Sequence, residues 1–140
     1  MATQLTPGQP EKRTPETGTR SFSKKSFSKA DEVRDFPKGK LELVEVNGNT
    51  VGLITLQPGW RWSTSVKPIA KTESCEVTHF QYMISGTLHV KMDDGTEMDF
   101  KGGEVAFTPP GHDAWVVGNE PVVAIDFQGM ANYAKAPHEH

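Results

Sequence analysis

The sequence predicts an all-β fold, a single domain whose short antiparallel strands close into a barrel or double-stranded jelly roll. Three observations carry this. Short apolar runs recur at the spacing of a sandwich or barrel, with clusters of Gly, Pro, Asn and Asp between them. Several runs alternate apolar and polar residues with a period of two. No stretch of the body sustains an apolar helical period. Closure is the expected end point, because an open antiparallel sheet leaves unpaired edges that invite association.

Taken in order, Ser28 to Val33 fits one helical turn with Ser28 as its N-cap. Leu41, Leu43 and Val46 belong to a strand that stops at Asn47-Gly48, a pair that tolerates the positive φ of a tight hairpin. Val51 to Leu56 is the returning strand and ends at Pro58-Gly59. Trp60, Trp62, Thr64 and Val66 alternate with Arg61, Ser63 and Ser65, which predicts another strand. Further strands are expected at Cys75 to Ser85, Thr87 to Met92, Thr96 to Phe100, Glu104 to Thr108, Ala114 to Val117 and Val122 to Gln128. Gly86, Asp94-Gly95, Gly102-Gly103, Pro109-Pro110-Gly111 and the run from Gly118 to Pro121 separate them, giving about nine strands.

The 140 residues fit one domain. Residues 1–29 read as a loosely ordered tail, 30–130 as the barrel domain and 131–140 as a C-terminal tail. The first 29 residues hold six basic side chains and two acids; with the chain at −3 overall, the remainder carries −7. Such a tail reads as a solvated leader or as a dock for an anionic partner. The absence of an overall basic excess argues against nucleic acid as a partner. No run reaches the roughly 18 apolar residues of a membrane span, and no secretory signal is visible, so a soluble, cytoplasmic protein is expected. Cys75 is the one cysteine, which forbids an intrachain disulfide and fits a reducing compartment. Asp93-Asp94-Gly95 is too short for a calcium loop and sits where a hairpin turn is needed. Phosphate loops, nucleophile elbows and paired zinc-finger cysteines are absent.

Two stretches resemble the motifs of the cupin family. The clearer runs from Gly103 through Glu104, Val105, Ala106, Phe107 and Thr108 to Pro109-Pro110-Gly111, then His112, Asp113 and Ala114. It matches the family's glycine, five residues, Pro-x-Gly, two residues and histidine, except that Ala114 holds the histidine position and His112 lies two places earlier. Gly118 stands where the family has asparagine, with Asn119 one place late. The other motif keeps its spacing with altered chemistry: Glu73-x-Cys75, three residues, His79, six residues, Gly86. The resemblance covers about Leu41 to Gln128 and implies a barrel with a central metal pocket. It adds Fe, Mn and Ni as candidate metals and a homodimer as the expected assembly.

In that register, Glu73, Cys75, His79 and His112 form a candidate ligand set. Residues two apart on a strand share a face, so Glu73 goes with Cys75, and His79 with Gln81, Met83 and Ser85. Phe80, Tyr82 and Ile84 take the opposite face, where bulky groups suit a second layer or a subunit contact. A carboxylate, a thiolate and two imidazoles suit tetrahedral Zn²⁺, and iron or copper accept the same atoms. Each alone has a plainer reading: Cys75 as a small buried hydrophobe, Glu73 as a solvated charge, the histidines as structural imidazoles. Trp60, Trp62 and Trp115 read either as walls of a ligand pocket or as core, and Gln81 as a group orienting a ligand or water. His89, between Leu88 and Val90, reads as a surface or wall histidine.

These readings lead to a metal-dependent enzyme acting on a small molecule, with oxygenase, isomerase or hydrolase-type chemistry. A non-catalytic ligand-binding or sensor barrel without metal is the alternative. An interaction protein docking through its basic tail is a third.

Overall fold

A computed structural model describes residues 21–131 and 133–135. Nine strands are present among them: β1 (Glu32–Phe36), β2 (Gly39–Val46), β3 (Asn49–Leu56), β4 (His79–Ser85), β5 (Thr87–Met92), β6 (Glu97–Lys101), β7 (Val105–Thr108), β8 (His112–Val117) and β9 (Val122–Asp126). Two four-residue helices, α1 (Trp62–Ser65) and α2 (Lys67–Ala70), bridge β3 and β4. The strands form a six-stranded sheet, ordered β1-β2-β3-β9-β4-β7, and a three-stranded sheet, β6-β5-β8. All strand pairs are antiparallel. The fold is all-β and cupin-like, but the two sheets stack without hydrogen-bonding into a closed barrel.

The count matches the sequence reading while two of its members differ. β1 escapes the alternation rule because it is a charged edge strand in which only Phe36 is buried. Conversely, the Trp60–Val66 segment is not a strand. Trp62 and Val66 lie four residues apart, so they also share a helical face, and both are buried there. A period of two and a spacing of four are indistinguishable in so short a run.

Asn47 (φ 50°) and Gly48 (φ 82°) form the expected tight turn between β2 and β3. Ser26, not Ser28, caps a single 3₁₀ turn at Phe27–Lys29 by accepting from the Ser28 N–H at 3.1 Å. The last part of the expected N-terminal tail is tied down: Ser21 bonds Asn47, and Lys25 pairs with Asp31 at 2.9 Å. Residues 1–20, which hold three of the six basic residues of the expected tail, lie outside the described residues. Beyond β9 the chain does not fray at once. Met130 and Tyr133 are buried, so the core extends past the expected boundary at 130. His138 and His140 fall outside the described residues. No helix among the described residues is long and apolar enough to cross a membrane.

The core fills the space between the sheets with Leu41, Ile54, Met83, Leu88, Phe100, Val116 and Val122, among others. At one end of this space the apolar packing gives way to a polar cluster.

Candidate metal centre

β4 and β8 belong to different sheets, and each begins with a histidine pointing inward, His79 and His112. Their rings meet with centroids 5.3 Å apart. Cys75 reaches the same place from the loop before β4. The Cys75 N–H donates to the His112 carbonyl at 2.8 Å, and the Gly111 N–H donates to the Cys75 carbonyl at 2.7 Å. The Pro109-Pro110-Gly111 bend therefore fixes cysteine and histidine together through backbone bonds. Cys75, His79 and His112 are all buried, and one ligand atom from each lies within 4.8 Å of the others.

The atoms behind the histidines decide which nitrogen each presents. His79 Nδ1–H donates to Asp126 Oδ2 at 2.6 Å, and His112 Nδ1–H donates to the Pro109 carbonyl at 2.8 Å. On both rings Nε2 is the nitrogen left to face a ligand, and that of His79 lies 3.7 Å from Cys75 Sγ. A ligating histidine held through its other nitrogen by a carboxylate or carbonyl is the usual arrangement behind a protein-bound metal.

Asp126 has no exposed surface, and its carboxylate also accepts from Gln81 Nε2 at 2.9 Å and from the backbone N–H groups of Phe80 (3.3 Å) and Gln128 (3.1 Å). The electrostatics follow from these contacts. Burial alone would lower the basicity of His79, but the Asp126 hydrogen bond, with help from Cys75, raises its pKa to about 9. Burial pushes the Cys75 thiol up; hydrogen bonds and charge from His112 and His79 outweigh it and bring the thiol down to about 7. Tyr133, packed edge-on to the His79 ring at 5.4 Å, has its phenol pKa raised by burial and then by the nearby negative groups.

These side chains line a cavity of about 30 Å³, room for one or two waters. Ile54, Leu88, Val90 and Phe100 form its apolar walls; Cys75, His79, Gln81, Thr108 and His112 supply polar groups. Trp60 also lines it, and its indole Nε1 is the one buried side-chain polar atom without a partner among the described residues.

Of the residues singled out by sequence, Cys75, His79, His112, Gln81 and Trp60 share this cavity. Glu73 does not. Its side chain is 95% exposed and pairs with Lys67 at 3.0 Å, because the segment before β4 is a loop and the two-residue face rule of a strand does not apply to it. Trp62 is buried in α1, outside the cavity lining. Trp115 occupies the outward face of β8, with Arg61 stacked 4.0 Å from its ring centroid and His89 on it at 4.7 Å. His89 sits at the surface, bonded to Asp99 at 2.7 Å and Glu97 at 2.6 Å. Sequence reasoning missed Asp126, although a signal existed: Val122, Ala124 and Asp126 share the inward face of β9, and a charge placed there needs buried partners. Tyr133 and Thr108 carried no such signal.

No family model matches the chain, and no curated protein matches it significantly. Solved structures do resemble it. A protein of unknown function from Rhizobium leguminosarum aligns at TM-score 0.56 and 18% identity, over 78% of this chain and 99% of that one. The polyketide cyclase RemF from Streptomyces resistomycificus aligns at TM-score 0.54 and 13% identity, covering 76% of this chain and 78% of its own. Oxalate decarboxylase from Lactobacillus farciminis, in a formate complex, aligns at TM-score 0.51 and 17% identity over 70% of this chain and 30% of that one. At these identities the likeness establishes the cupin-like fold.

Proposed function

We propose that this chain is a metal-dependent enzyme acting on a small polar molecule, with Cys75, His79 and His112 as the protein ligands of a divalent transition metal. The observation that carries this reading is the anchoring of both imidazoles through Nδ1, which turns each Nε2 toward the Cys75 sulfur. One sulfur and two nitrogens suit Zn, Fe, Ni or Cu better than Mn, which prefers oxygen. Three protein ligands leave a position for substrate or water. When bound, such an ion polarises a carbonyl or hydroxyl oxygen or makes a bound water more acidic. The remaining work belongs to the chain. Asp126 and the Pro109 carbonyl hold the ring tautomers, and the apolar walls exclude bulk water. The small cavity selects a compact reacting group. Two of the similar folds belong to enzymes, a decarboxylase and a cyclase, which supports the same reading.

Elemental analysis of chain purified without added metal tests it. Near-stoichiometric transition metal, lost on His79→Ala, is the expected result. Metal-free protein whose melting temperature does not rise with added Zn²⁺, Fe²⁺, Ni²⁺ or Cu²⁺ would sink the idea and leave a ligand-binding or sensor barrel. One observation favours a second, metal-free chemistry: Cys75, His79 and Asp126 lie in series, in the order of nucleophile, base and orienting carboxylate. Rapid alkylation of Cys75 in unfolded-control-corrected labelling, unaffected by metal, is the result that reading requires.

A further inference from the structure

We infer that the substrate carries a short uncharged apolar group, aryl or branched alkyl, which lies in the groove between β6 and β7 while its polar end meets Cys75, His79 and His112. This deepens the metal-enzyme reading and rests on it for the polar end alone. β6 ends the three-stranded sheet and β7 ends the six-stranded one, and the turn at Gly102-Gly103 joins them. They form no ladder with each other, so the space between the sheets opens along them. Met98 reveals the opening. It lies two residues from Phe100 on β6 and shares its inward face, yet Phe100 is buried and Met98 is 62% exposed. An inward side chain with nothing over it marks a gap in the wall.

That gap is a groove of about 90 Å³. Val90, Met92 and Met98 form one side, with Val90 opposite Met98 across β5 and β6. Phe107 and Pro109 form the other. Val90, Phe100 and Thr108 line both this groove and the cavity that holds the cysteine and histidines. A single layer of side chains therefore separates the two spaces. Pro109 links them a second way, since it borders the groove and its carbonyl accepts from His112 Nδ1 at 2.8 Å. An apolar chamber beside a few fixed polar groups is the usual anatomy of a small-molecule site.

Size and charge choose the occupant. The inner cavity, at about 30 Å³, admits a carboxylate, carbonyl or hydroxyl and little more. A molecule that reaches the ligands must leave the rest of itself outside, and the groove adjoins them. A closed apolar cavity of about 150 Å³ takes up benzene; this smaller groove, open along one side, suits one ring or branched chain. Glu97 is its one charged lining residue, bonded to His89 at 2.6 Å. A negative charge on the substituent would be repelled there, whereas the two methionines adapt to aromatic and branched groups alike.

Binding of paired probes to the full chain loaded with Zn²⁺ tests the assignment. Acetohydroxamate offers a chelating head alone; phenylacetohydroxamate adds the ring. Burying about 60 Å² of ring at about 25 cal/mol per Å² predicts roughly tenfold tighter binding of the second by calorimetry. A para-carboxylate on the ring should erase that gain, and Met98→Asp should remove most of it. Equal affinities of the two hydroxamates for the wild type overturn the proposal. Location is read separately, in chain labelled at its methionine methyls. The ring should shift the Met92 and Met98 resonances and leave those of Met83 and Met130 in place; the reverse pattern puts the ring elsewhere and rejects the groove. Toluene added to chelator-stripped chain should give the same two shifts without any ion. If it does while the chain takes up no metal, the metal reading fails and the apolar subsite stands. Toluene that shifts neither methyl at saturation rejects the groove. Shifts of Met92 and Met98 that track protein concentration alone would mean that another chain fills the groove, and would also overturn it. Should Met98→Asp not fold, these wild-type resonances decide.

Discussion

Asp126 is the residue on which the site's chemistry turns. Its carboxylate fixes the His79 ring and supplies the main influence that holds that imidazole protonated up to about pH 9. Asp126→Asn should therefore lower metal affinity about 10- to 100-fold, measured by competition with a chromophoric chelator, while leaving the metal-to-protein ratio at saturation unchanged. The two shifted groups also predict a pH profile. Metal must displace the His79 proton, so affinity should fall about tenfold per unit as pH drops below about 9, and more steeply below about 7, where Cys75 also binds a proton. In metal-free protein the same groups act on folding. His79 has a raised pKa, so its contribution is complete below its unfolded value and disappears as pH rises through about 9; Cys75 has a lowered one, so its contribution disappears as pH falls through about 7. Between about pH 7 and 9 the loss from His79 and the gain from Cys75 should therefore offset, leaving thermal stability in chelator nearly flat, and Cys75→Ser should uncover the His79 loss as a fall in melting temperature as pH rises across that window. The histidines and the cysteine were legible in the sequence because motif spacing survives even where residue types have been exchanged. Glu73 was misread because spacing says nothing about whether the strand has begun.

Among the elements, the turn between β4 and β5 carries the most specific constraint. Gly86 has φ +82°, and a Cβ there would lie 2.4 Å from the Pro121 carbonyl oxygen and 2.8 Å from Val122 Cα, both backbone atoms that cannot swing away. Gly86→Ala should cost about 2–4 kcal/mol, combining left-handed strain with overpacking. Because β4 begins at His79, the loss should appear both in chemical denaturation and as weaker metal retention. Turn chemistry of this kind, together with Asn47-Gly48, made most of the strand succession readable. The exceptions have physical causes. β1 pairs with β2 through its backbone while offering the core a single side chain, Phe36, so pattern had nothing to register. The Trp62–Val66 pair satisfies strand and helix periods alike, and packing in the folded chain chose the helix. Sheet closure was likewise beyond local pattern, since it depends on whether edges far apart in sequence meet.

For the molecule as a whole, the open seam between the two sheets gives the candidate ligands a structural role. His79 lies in the six-stranded sheet and His112 in the three-stranded one, while Cys75 is bonded by its backbone to the start of β8. The only covalent ties between the sheets are chain crossings, and no hydrogen-bonded ladder joins them. An ion held by these three side chains would therefore act as a clasp across the seam, and its binding energy would enter folding directly, because unfolded chain cannot assemble the set. At metal concentrations about 1,000-fold above the dissociation constant the gain is about 4 kcal/mol, roughly 10–20 °C in melting temperature for a domain of this size. The location of the effect separates a clasp from a surface-bound ion. On adding chelator, hydrogen exchange should accelerate in β4 and β8 together, on both sides of the seam, while the β1–β2 hairpin keeps its rate. His112→Ala should reproduce that pattern without chelator, since it frees one sheet from the other. Acceleration confined to a single sheet, or a melting temperature insensitive to chelator in metal-loaded protein, would mean that the ion does not bridge them.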